Sequence, residues 1–128
     1  MNVLVDTHLL VWAASEPAKL SPGALEIIED ADLNLAFSAM SMWEIAIKKA
    51  LRRPDFNTDP RTLRRDFLDR GWQEVSMTSE HGFVAGDLPP HHRDPFDRAM
   101  IAQAKIGGMV FLTADAQLAR YGEPVRVV

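Results

Sequence analysis

Hydrophobic positions along the chain follow two rhythms, and their alternation predicts the architecture. Short apolar runs at residues 3–5, 33–37 and 109–112 read as strands, and a continuous run such as Val3-Leu4-Val5 suits the centre of a parallel sheet covered on both faces. Between them, apolar residues recur at three- and four-residue spacing, which marks helices. One helix begins at residues 9–12, and Ser21-Pro22 starts a second that runs to about residue 31. A third spans 38–51, with Trp43, Ala46, Ile47, Ala50 and Leu51 at helical spacing. Pro54 closes it. Asp59-Pro60 opens a fourth through residue 70, amphipathic through Leu63, Phe67 and Leu68, with Gly71 as C-cap. Residues 73–77 form a strand, and a short helix from 78 or 79 reaches 86. The prolines of 87–93 make that stretch a loop. Pro95 suits a first helical position and Asp94 its N-cap, while Phe96, Met100, Ile101 and Ala104 bury one face of the helix that follows. A last short helix starts at 113–115, and 125–128 is a closing strand.

Strands alternating with helices predict an α/β fold with a central, mainly parallel sheet of about five strands covered on both sides. The 128 residues suffice for one domain, 1–128, with its own core. The absence of cysteine removes thiolate chemistry and cysteine-based metal sites. No apolar stretch reaches membrane-spanning length and the first residues lack a secretory pattern, so a soluble, cytoplasmic protein is expected. A formal charge of −4 does not resemble a nucleic-acid binder, but it hides a segregation. Residues 48–70 carry eight of the fourteen Lys and Arg against four Asp, a local +4, which leaves −8 on the rest. A basic flank beside an acidic centre fits a metal-dependent enzyme acting on a polyanion, although a solvated helix face is the simpler reading of such a run. Gly-rich phosphate-binding motifs are absent.

Four acids fall at helix starts: Asp6, Glu44, Asp97 and Asp115. Each has a structural reading of its own. Asp6 or Thr7 could cap the first helix, Ser41 to Glu44 and Asp94 to Asp97 match capping boxes, Asp115 favours a helix dipole, and Glu44 could pair with Lys48. Together they mean more, because a parallel sheet brings its helix N-termini to one edge, where ligands bind. Crowded carboxylates call for a counter-charge, and an all-oxygen set suits Mg²⁺ or Mn²⁺ better than zinc. Such a centre orients a water and stabilises the charge developing on a phosphodiester.

Val3-Leu4-Val5-Asp6-Thr7-His8, Ser41-Met42-Trp43-Glu44-Ile45-Ala46-Ile47-Lys48, His92-Arg93-Asp94-Pro95-Phe96-Asp97-Arg98 and Leu112-Thr113-Ala114-Asp115 resemble, in order and spacing, the motifs of PIN-domain proteins, and most closely VapC-type toxins of bacterial toxin–antitoxin pairs. The resemblance spans nearly the whole chain and implies a three-layer α/β/α fold and a Mg²⁺-dependent endoribonuclease, with Mn²⁺ as a substitute. It also implies a cognate antitoxin whose tail lies in the groove over the acids, and a homodimer. By the same resemblance Asp6, Glu44 and Asp97 match the three principal catalytic and metal-holding acids, and Asp115 the more variable fourth. Thr113 matches a Ser or Thr that holds a water or phosphate, and Asp94 is an added acid favoured as N-cap, with metal support as the lesser role. Arg98 is open between a phosphate contact and a salt bridge to neighbouring acids.

Lys48, Lys49, Arg52, Arg53, Arg64 and Arg65 are candidate RNA-backbone contacts. His8, His81, His91 and His92 show no metal-ligand spacing and read as surface or packing residues. Trp12 and Trp43 suit the core or a partner groove, and Trp72 packing at a helix end. Two rival functions remain. One is a catalytically silent PIN-like domain that binds RNA or protein. The other is a phosphorylation-switched receiver, which would need an acceptor Asp after a central strand and a late-strand Lys; neither is found, since Lys105 lies inside a predicted helix.

Overall fold

The computed structural model describes residues 1–128. Its strands are β1 (Asn2–Val5), β2 (Asn34–Ser38), β3 (Gln73–Val75), β4 (Val110–Thr113) and β5 (Val125–Val127). All pair in parallel in one sheet of order β3-β2-β1-β4-β5. The helices are α1 (Thr7–Ser15), α2 (Pro22–Ile28), α3 (Ala39–Ala50), α4 (Pro60–Asp69), α5 (Ser79–Asp87) and α6 (Pro95–Gly107), with 3-10 turns at Pro17–Lys19 and Ala116–Tyr121. No helix is long and apolar enough to cross a membrane.

The two-residue pleat of the central strands sorts the core into two halves. Val3, Val5, Leu35, Phe37 and Leu112 point to one side, where they pack with Leu9 and Leu10 of α1, Ala24 and Ile27 of α2, Ile45 of α3, and Leu63 and Phe67 of α4. The intervening Leu4, Ala36 and Phe111 point to the other, against Met100, Ile101 and Ala104 of α6 and Leu118. Helices thus cover both faces, as the alternating pattern predicts. The chain runs outward from β1 through β2 to β3 and then crosses to β4 and β5, so strand order reverses beside β1. In open α/β sheets, ligand sites form outside the carboxyl ends of the strands at this reversal. The order also differs from the 2-1-3-4-5 arrangement of receiver domains.

Three details depart from the sequence expectation. Helix α2 ends at Ile28, three residues early. The last short helix is a 3-10 turn that starts after Asp115 rather than at Thr113, which belongs to β4. The apolar spacing of α3 does not mark its buried face: Ser41, Glu44 and Ile45 are buried, while Trp43 is 58% and Leu51 64% exposed. That inner face meets α1 and α6 at the sheet edge, where polar side chains find one another.

Candidate active site

Local chemistry delivers each acid to the carboxyl edge of the sheet. Asp6 directly follows β1 and caps α1, its Oδ1 accepting from the Thr7 amide at 2.7 Å. Thr113, the last residue of β4, donates its hydroxyl to Asp6 Oδ2 at 2.6 Å, joining segments 107 residues apart. Glu44 sits one turn into α3, where its Oε1 accepts from the Thr7 hydroxyl at 2.6 Å. Ser41 stands 2.8 Å from that same hydroxyl, and because the Thr7 proton is committed to Glu44, Ser41 supplies the donor. Asp97 occupies the first turn of α6, below Asp94, whose Oδ1 accepts from the amides of Phe96 and Asp97. Asp115 caps the 3-10 turn through Oδ1, which accepts from the Gln117 amide. Asp94 is therefore an N-cap, and Ser41 serves Glu44 through Thr7.

These acids are close enough to perturb one another. Asp97 is pushed up to about 9, first by burial and then by repulsion from Asp6, Asp94, Glu44 and Asp115. Burial raises Asp6 to about 6 against the lowering pull of its Thr113 and Thr7 hydrogen bonds, with Glu44 and Asp115 adding to the rise. The counter-charge within the protein is small. Lys48 pairs with Glu44 Oε2 from the next turn of α3, so this candidate RNA contact is turned inward, onto a carboxylate that is only 3% exposed. Every buried side-chain nitrogen and oxygen has a hydrogen-bond partner, so the network is a satisfied scaffold with surplus negative charge. An oxygen-rich donor set with that surplus fits a hard divalent cation.

Histidines occupy more of this edge than the sequence suggests. His8 lines a pocket of about 270 Å³ with Asp6, Trp12, Ala114 and Asp115. Burial, followed by the nearby Lys48 ammonium, lowers its pKa. His92 corrects the reading of its loop as mere surface or packing: its Nε2 lies 2.8 Å from Asp97 Oδ2. Nitrogen and oxygen atoms of His92, Asp94 and Asp97 fall within 4.8 Å of one another. The signal was the interval, since His92 stands two residues before the cap of α6 and the entering chain folds back over the first turn. His81 completes a capping box with Thr78 instead. His91 packs edge-on to Tyr121, with ring centroids 5.2 Å apart.

Arg98 does not form the salt bridge to neighbouring acids that was one of its two open readings. It enters no ion pair; its Nη2 donates to the carbonyls of Ala85 (2.7 Å) and Leu88 (3.0 Å), and its Nη1 to those of Pro89 (3.0 Å) and His92 (3.3 Å). Of the other basic residues, Arg64 forms a forked bond to Glu74, whereas Lys49, Arg52, Arg53 and Arg65 are exposed and unpaired. Two cavities, of about 420 and 720 Å³, open at the amino ends of the strands, away from the acids.

A family model described as the PIN domain matches residues 3–124. The chain belongs to the PIN-domain family. This PIN domain is 30% identical over 124 residues to Ribonuclease VapC22 of Mycobacterium tuberculosis, covering 96% of this chain and 94% of that protein. Its fold is similar to the crystal structure of VapBC2 from Rickettsia felis bound to a DNA fragment from their promoter, with a TM-score of 0.72 at 12% identity over 100% of this chain and 98% of that one. A toxin–antitoxin complex from Klebsiella pneumoniae gives 0.70 at 14% identity over 98% and 96%.

Proposed function

We propose that this PIN domain is a divalent-cation-dependent endoribonuclease, the toxin half of a toxin–antitoxin pair, which cleaves RNA phosphodiester bonds with water. The observation that carries the reading is the meeting of Asp6, Glu44, Asp97 and Asp115 from four separate elements at the sheet's switch point, with Asp97 pushed up to about 9 by burial and then by its acidic neighbours. The full-length likeness to a ribonuclease supports it.

Asp6, Glu44, Asp97 and Asp115 would hold Mg²⁺, with Mn²⁺ as a substitute. Such a cation supplies Lewis acidity to the attacking water and offsets charge on the phosphate. The chain's own residues make that possible by fixing carboxylates in place before substrate arrives. Thr113 and the Thr7 amide hold both oxygens of Asp6, so its plane cannot rotate. Thr7, backed by Ser41, holds Glu44, and Lys48 balances its other oxygen. Asp115 spends Oδ1 on its cap. Lys49, Arg52, Arg53 and Arg65 are the candidate contacts for the RNA backbone, with Lys48 and Arg64 already engaged by acids. The same likeness leads us to a homodimer and a cognate antitoxin as partners, and the exposed Trp43 and Leu51 of α3 offer apolar contact for a partner.

Total cellular RNA, incubated with wild type and with Asp97→Asn in Mg²⁺, Mn²⁺ or EDTA and mapped at its ends, tests the proposal. Discrete cuts that need both the cation and Asp97 are expected. Cutting that persists in EDTA or in the variant defeats the assignment.

A further inference from the structure

The 88–93 loop is held in an unusual way. A guanidinium normally reaches for carboxylates or phosphate, yet Arg98 turns from both neighbouring acids and binds four backbone carbonyls, those of Ala85, Leu88, Pro89 and His92. Tyr121 joins the clamp, its hydroxyl lying 3.2 Å from Arg98 Nη1 and donating to the His92 carbonyl at 3.4 Å. A planar fork with five donors is suited to such work, because it fixes several acceptors in one rigid arrangement. The loop ends on His92, with its ring 19% exposed and its Nε2 2.8 Å from Asp97 Oδ2. Among the four proposed cation-holding acids, Asp97 has no hydroxyl or amide donor on its carboxylate; His92 is its one partner.

We propose that His92 is the positioning residue of Asp97, its Nε2–H fixing the carboxylate so that the second oxygen faces the site, and that Arg98 acts through the loop to keep His92 there. This rests on the reading of Asp97 as a cation-holding acid. Thr113 does for Asp6, and Thr7 for Glu44, what His92 would do for Asp97: each carboxyl group is held by a hydrogen-bond partner brought from outside its own element. Outer partners of this kind typically account for about 10–100-fold in metal affinity or activity.

Mn²⁺ binding by titration calorimetry, alongside cleavage of a mapped RNA, separates the roles in wild type, His92→Ala, His92→Gln and Asp97→Asn. A glutamine amide nitrogen reaches nearly where Nε2 lies and donates one hydrogen bond, but it neither ligates a metal nor carries a proton. His92→Ala should weaken Mn²⁺ binding about 10–100-fold, and His92→Gln should restore most of the loss in both binding and cleavage. Wild-type Mn²⁺ affinity in His92→Ala overturns the proposal, and so does a His92→Gln as impaired as His92→Ala, which makes His92 a ligand or proton carrier instead. Asp97→Asn is the separate arm: if it binds Mn²⁺ and cuts like wild type, the cation-site reading has failed rather than the role of His92. Unchanged far-ultraviolet dichroism across the set establishes that each variant is folded.

Discussion

At Asp97, burial and four neighbouring acids act in one direction, and the resulting proton affinity has a thermodynamic sign. An unfolded Asp ionises near pH 4, whereas the folded chain holds the Asp6 proton to about 6 and the Asp97 proton to about 9. Between these limits the folded state binds more protons, so the stability these groups confer is complete below about pH 4 and is lost as pH rises through 6 and towards 9. Calorimetric scans in EDTA should therefore show the melting temperature falling from pH 5 to pH 9. Asp97→Asn should flatten that fall and melt higher at pH 8 by ~5 °C or more, while millimolar Mn²⁺ should remove most of the slope in wild type. A melting temperature that rises across this interval in EDTA would refute the crowded-carboxylate account. At Asp6 the relevant partner is a hydroxyl: Thr113→Val leaves Oδ2 of a buried carboxylate without its donor. Urea unfolding should register a loss of roughly 1–3 kcal/mol for Thr113→Val and much less for Thr113→Ser, since only the second keeps the bond.

Elements reach their places here by local chemistry, and that part was legible from the sequence. Asp94-Pro95, Asp59-Pro60 and Ser21-Pro22 each open a helix where the structure opens one, because a cap and a proline act within one turn. The sheet followed from the apolar runs, and the helix-start acids followed from the sheet. What was not legible depends on contacts between elements. The outward face of α3 carries Trp43 and Leu51 because Ser41, Glu44 and Ile45 are needed within, and no periodicity distinguishes an apolar stripe that packs from one that waits for a partner. The partners of Arg98 and His92 were not legible for a related reason: they are the carbonyls of α5 and its following loop, and a carboxylate on the far side of a cap. The clamp is itself testable. Arg98→Ala should cost roughly 2 kcal/mol in urea unfolding, the scale of hydrogen bonds from a charged donor. In hydrogen exchange, residues 88–93 should lose protection before the sheet does. Arg98→Lys should not rescue the loop, because an ammonium cannot bridge the same four carbonyls; full rescue would mean that charge alone holds it.

Across the whole molecule, charge is arranged so that a polyanion meets both repulsion and attraction. The chain carries −4 overall, with +4 on residues 48–70 and −8 elsewhere, much of it converging on the carboxyl edge of the sheet. Lys49 and Arg52 line a shallow cleft of about 480 Å³ between the end of α3 and the start of α4, with Arg61 and Asp59 on its other side. Arg53 and Arg65 are exposed nearby in sequence, whereas Arg64 is already bonded to Glu74, whose carboxylate holds the guanidinium in its charged form. If the basic segment tracks an RNA backbone, the unpaired residues release counterions on binding and Arg64 does not. Each phosphate contact made to single-stranded RNA steepens the logarithmic salt dependence of affinity by about 0.7. With Asp97→Asn as a cleavage-deficient background, replacing Lys49, Arg52, Arg53 and Arg65 with Ala should lower the magnitude of that slope by about 3 and weaken binding most at low salt. Replacing Arg64 alone should change it by much less than one contact's share. Filter binding at a series of salt concentrations reads both quantities. An unchanged slope in the fourfold variant would move the RNA path to another face, and an Arg64 effect equal to the others would mean that its bond to Glu74 opens when RNA arrives.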